Sequence, residues 1–85
     1  MTQTKRRPGG RAPDLKPAEQ RRVMREIQEL LRDNGPTAVA GLLGLSQARI
    51  SQLTTGKSAP GMTTARAVAR FKGIDVFALL SGAAA

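Results

Sequence analysis

Gln47 and Gln52 lie in the stretch SQARISQLTTG (46–56), which also holds Ala48, Ser51 and Thr55 and places Ile50 and Leu53 three residues apart. In a helix, successive residues turn by about 100°, so directing Ile50 and Leu53 inward leaves Ala48, Ser51, Gln52 and Thr55 facing out. Gln47 then sits at the exposed N-terminal end and Arg49 on a flank. A glutamine amide carries a donor and an acceptor side by side, the pattern that pairs with adenine N6 and N7 in the major groove of duplex DNA, and an alanine methyl fits against a thymine methyl. Such a face makes little sense toward water alone, where Glu and Lys form better helix and dissolve better. It makes sense if small side chains let the helix approach a groove closely.

Other chemistries are excluded by what is missing. The 85 residues contain no histidine and no cysteine. The commonest general base, the commonest metal ligand and every thiolate or disulfide are therefore absent. Ser46, Ser51 and Thr54 have no base to activate them and read as cap and groove residues rather than nucleophiles. Gly56-Lys57-Ser58 echoes the end of a P-loop, but Ser51 stands where the upstream glycine is required and no strand precedes it. The chain reads as neither an enzyme nor a cofactor or metal carrier, and no small-molecule substrate is expected.

Charge points to a polyanion. Fourteen Lys and Arg against six Asp and Glu give a net charge of +8, beyond what solubility asks of a short chain. Nucleic acid is the first candidate and an anionic membrane surface the second. No carboxylate occurs between Asn34 and Ile74, while Arg49, Lys57, Arg66, Arg70 and Lys72 fall in that interval. The stretch with the amide face is thus also free of groups that repel phosphate. No apolar run approaches the ~18–20 residues of a membrane span. The basic N-terminus lacks the apolar segment of a secretory signal, so a bacterial cytoplasmic location, at the nucleoid, is expected.

The elements that must position this face follow from periodicity. Residues 1–15 read as a flexible basic arm with Lys5, Arg6, Arg7 and Arg11, suited to phosphates or a minor groove as homeodomain arms are. Val23, Ile27, Leu30 and Leu31 define one face of a helix over 17–33, opened by Pro17, with Arg22–Glu26 and Arg25–Glu29 as outer i,i+4 pairs. Asn34-Gly35-Pro36 should end it, Gly35 taking the left-handed cap. A second helix spans 36–43 on Val39, Ala40, Leu42 and Leu43, Gly44-Leu45 makes a turn, and Ser46 caps a third helix over 47–54 that Gly56 ends. The loop KSAPG leads to a fourth helix over 62–72 burying Met62, Ala65, Val68 and Ala69. Gly73 breaks it, and Asp75 caps a short last helix, VFALL. Only Phe71 and Phe77 are aromatic, so the core must be aliphatic, which suits a single small all-α domain over 16–82 with 83–85 as a tail.

The run TAVAGLLGLSQARISQLTTGKSAP, followed by TTARAVARFKGIDVFALLSG, resembles the Cro/C1-type, XRE-like helix-turn-helix repressors. The resemblance rests on Ala40, Gly44, Ser46-Gln47, Ile50, Leu53, Gly56-Lys57, Pro60, Val68-Ala69 and the closing segment 73–80, and it spans about residues 20–82. It implies a compact five-helix bundle of the lambda-repressor-like DNA-binding type, with the third helix reading bases and the second crossing the backbone. Carried over by position, Gln47, Ala48 and Gln52 fall at base-reading positions and, from the outward face, Ser51 joins them. Thr37, Arg49, Lys57 and Ser58 fall at or near phosphate-contact positions, and Thr55 lies beside them. Pro36 stands where members of the family often carry a phosphate-touching glutamine, and proline has no N–H to offer; Thr37 or the arm would have to substitute. Length and composition are also similar to small plasmid-borne repressors of the Kor type.

One recognition helix reads few base pairs, so the expected partner is a palindromic duplex-DNA operator bound by a homodimer, with half-sites about one helical turn apart. Val76, Phe77, Leu79 and Leu80 are more apolar than a last short helix needs and are the candidate dimer residues. With no separate sensor domain expected, control would be by concentration. Three rivals share parts of the pattern. An antitoxin-type autoregulator would also mask a protein, though SGAAA offers little for one. A sequence-blind nucleoid or RNA-binding protein explains the charge but not the amide face, and two aromatics give little to stack on bases. A membrane-surface peptide needs a large apolar helix face that the acid-bearing first helix lacks.

Overall fold

The computed structural model describes residues 15–82. Five helices follow in order: α1 (Pro17–Asp33), α2 (Pro36–Leu43), α3 (Gln47–Thr54), α4 (Met62–Lys72) and α5 (Val76–Ser81), with no strand among the described residues. The fold is the expected all-α five-helix bundle. Residues 1–14 of the proposed 1–15 arm and the tail over 83–85 lie outside the described residues.

Helix α1 forms the spine. Pro17 occupies its first turn, where a missing N–H costs nothing, and the Lys16 amide donates to Glu19 Oε1 at 2.8 Å. Val23 and Ile27 are fully buried, with Leu30 and Leu31 packed at the margin. Around them close Val39, Ala40 and Leu43 of α2, Ile50 and Leu53 of α3, Ala65, Val68 and Ala69 of α4, and Leu79 and Leu80 of α5. Leu15, assigned by the sequence to the arm, is only 5% exposed and belongs to this core. An apolar side chain one turn ahead of the helix gains more from that pocket than from water.

Several local expectations change. Gly35 does not adopt the left-handed conformation. It lies at φ −72°, ψ 165° and serves as N-cap of α2, because the residue before a proline is held in extended backbone. Asn34 ends α1 instead, its amide N and side-chain Nδ2 both donating to Leu30 O, at 3.0 and 2.9 Å. The pair Arg22–Glu26 does not form. Arg22 Nη1 donates to Leu80 O at the end of α5, 2.7 Å away, and Glu26 pairs with Lys72 of α4 at 2.8 Å. Arg25 and Glu29 form no ion pair among the described residues. Tertiary partners from α4 and α5 outcompete neighbours along the helix, which are worth only a few tenths of a kcal/mol. Leu42 is exposed, since Val39, Ala40 and Leu43 already fill the side of α2 that meets the core. Met62 is half-buried, and Thr64 takes the fully buried place beside Ala65.

No described helix is long and apolar enough to cross a membrane.

Candidate nucleic-acid interface

The unit that carries the amide face is α2, its turn and α3. Gly44 ends α2 in the left-handed region at φ 69°, where a side chain would be strained. The reversal lets the Leu45 amide reach back to Ala40 O at 2.9 Å, closing the last turn of α2. Ser46 then caps α3, its Oγ accepting from the Arg49 amide at 3.0 Å. Ile50 and Leu53 anchor α3 in the core at 1% and 4% exposure.

With those anchors inward, Gln47, Ala48, Ser51, Gln52 and Thr55 are all exposed, as the periodicity requires. Gln47 is held in place. Its Nε2 donates to Thr37 Oγ1 of α2 at 2.7 Å. One amide proton is thereby fixed, leaving the carbonyl oxygen and the second proton available to a base edge. Thr37, having accepted that bond, keeps its own hydroxyl proton for another acceptor. One contact therefore links a base-reading candidate to a phosphate candidate and ties α3 to the start of α2.

The remaining phosphate candidates divide. Lys57 is exposed in the loop after α3. Ser58 is half-buried, and its amide donates to Gln52 O at 3.2 Å, which folds the loop back on α3. The Thr55 hydroxyl points inward, toward Ser51 O at 2.9 Å; serving a phosphate would require that proton to swing outward. Arg49 is half-buried rather than splayed toward solvent. Its Nη1 donates to Ser58 Oγ, and Nη2 lies 3.3 Å from Ala59 O and 3.4 Å from Thr64 Oγ1. Neither Thr64 nor Ala59 is a site candidate from the sequence, and Ser58 is one as a phosphate contact, not as a partner of Arg49. A threonine at the start of an otherwise apolar helical face was the available signal.

Electrostatically, α2, α3, the following loop and α4 carry no carboxylate. Lys72 is paired with Glu26, and the other cations of this stretch are Arg49, Lys57, Arg66 and Arg70. A helix-turn-helix family model, HTH_3, matches residues 27–79. The chain belongs to that family. Its helix-turn-helix is α2–α3, of the Cro/C1 type, and the domain is that of a DNA-binding regulator. Comparison with curated proteins and with solved structures gave no match.

The candidate dimer residues of this helix-turn-helix domain also divide. Leu79 and Leu80 are 4% exposed and belong to the core of the single chain, where α5 needs them to pack on α1 and α4. Val76 is partly covered, and Phe77 is 64% exposed.

Proposed function

We propose that the protein is a sequence-specific transcriptional repressor that binds a palindromic operator in double-stranded DNA as a homodimer, at the bacterial nucleoid. The observation that carries this reading is the outer face of α3. It presents amides and small side chains, holds Gln47 by Thr37, and belongs to a stretch of chain, 34–74, that carries no carboxylate. Gln47, Ala48, Ser51 and Gln52 read base edges in the major groove. Thr37, Lys57 and Ser58 meet phosphates, with Thr55 joining after rotation and Arg49 contributing its charge. Of the four candidate dimer residues, Phe77, with Val76 beside it, is the one that stays exposed for a second copy. Repression follows from occupying promoter DNA, at a level set by the protein's own concentration. Small size and basic charge also fit the plasmid-borne repressors of the Kor type.

The test is selection of bound duplexes from a random pool at near-physiological salt, followed by sequencing. A palindromic consensus supports a dimeric base reader and supplies the operator. Survivors without a consensus would overturn the base-reading role of α3 and favour a sequence-blind nucleoid or RNA-binding protein.

A further inference from the structure

Arg49 sits within the recognition helix, yet its guanidinium turns away from the face that α3 offers to a groove. It faces three protein oxygens on two other parts of the chain: Ser58 Oγ and Ala59 O in the loop after α3, and Thr64 Oγ1 in α4. Thr64 is 1% exposed, so the far end of this bridge is fixed in the core. At its near end, the Arg49 amide is itself tied to the Ser46 cap. A planar guanidinium with several donors in fixed directions can hold three acceptors at once, whereas an ammonium on a flexible stem cannot reproduce that fork. Ser58 is the telling acceptor. Its oxygen takes the Arg49 proton, leaving its single hydroxyl proton for an acceptor elsewhere. Its neighbour Lys57 is exposed in the same loop.

We infer that Arg49 is a positioning residue: it braces the loop 56–61 against α3 and α4, so that Lys57 and the Ser58 hydroxyl meet one phosphate in fixed register with Gln47 and Gln52. The inference rests on the DNA-binding reading for its consequence, but the brace itself is a property of the free protein. Arg49 thereby acts on the backbone of the duplex through Ser58, and the spacing between phosphate and base contacts is set by this bridge.

The experiment has two arms. In the first, amide hydrogen exchange is measured on the free full-length chain for the wild type, Arg49→Lys and Ser58→Ala, with thermal unfolding to verify the fold. Arg49→Lys should speed exchange at the Ser58 amide by about tenfold, the scale of one charge-assisted hydrogen bond, with the amides of α1 and α2 unchanged. Unchanged exchange at Ser58 would overturn the brace whether or not the protein binds DNA. In the second arm, binding is measured on duplexes carrying neutral methylphosphonate at one phosphate at a time. Arg49→Lys keeps the charge, yet should weaken binding by about tenfold and abolish sensitivity to the same phosphate that Ser58→Ala and Lys57→Met silence. Loss of sensitivity at a different phosphate would make Arg49 a direct ligand and sink the inference. If Arg49→Lys unfolds the chain, Ser58→Ala with Thr64→Val carries the test: neither removes charge, and together they should reproduce the Ser58 exchange effect. Failure of wild-type binding to any duplex, with the exchange effect intact, would reject the DNA reading and spare the brace.

Discussion

At the scale of single residues, the chemistry of the α3 face is that of neutral hydrogen bonding under a positive field. Gln47 and Gln52 differ in one respect: Gln47 is steadied by Thr37. Gln47→Ala and Gln52→Ala should each cost ~1–3 kcal/mol of binding to the selected operator and leave binding to random duplex nearly intact. Competition titration against both duplexes checks this, and equal losses on the two would contradict base reading. Thr37→Val removes the acceptor that orients Gln47 together with a hydroxyl donor. It should therefore weaken operator binding more than random-duplex binding, which distinguishes it from a simple phosphate contact.

At the scale of elements, α3 is short and owes its place to its ends and its two anchors. An eight-residue helix is unstable alone. Ile50 and Leu53 bury it, Ser46 caps it, and Gly44 sets the angle at which it leaves α2. Ser46→Ala should lower the unfolding free energy by ~1 kcal/mol, the usual worth of an N-cap, as read by urea denaturation. Its effect on operator affinity should exceed that on global stability, because the free amides lie at the very turn that holds Gln47 and Ala48. A variant with unchanged stability and unchanged affinity would show that the cap is dispensable.

At the scale of the whole molecule, a small aliphatic core must be completed from both ends of the described chain. Leu15 and Leu80 supply the two edges of that closure, and α1 holds both, Gln20 Nε2 donating to Leu15 O and Arg22 Nη1 to Leu80 O. Leu15→Ala should destabilise the fold by about 2–3 kcal/mol, the lower part of the range for buried leucines, since it packs at the rim. Calorimetry would reveal this as a lowered Tm. Phe77 behaves oppositely. Being 64% exposed, it adds little to the single chain, so Phe77→Lys should leave the Tm of the monomer nearly unchanged while shifting sedimentation toward monomer and weakening operator binding. An unchanged dimer would move the interface off α5.

How much of this was legible beforehand depended on whether the determining interaction is local. The five helices and their bounds follow from prolines at first turns, Ser46 and Asp75 as caps and the periodic spacing of apolar residues, all of which act within a few positions of themselves. The outward set on α3 follows in the same way, because 100° per residue leaves no other arrangement once Ile50 and Leu53 face inward. What the tertiary structure alone decided was competition between distant partners. Glu26 chose Lys72 over Arg22, Arg22 chose the end of α5, and Arg49 turned from solvent to Ser58, Ala59 and Thr64. It also decided that Leu79 and Leu80 complete the core while Phe77 does not. A long charged side chain reaches several ångströms in any direction, and an apolar one is buried by whatever arrives. Neither outcome is fixed until the neighbouring helices are in place.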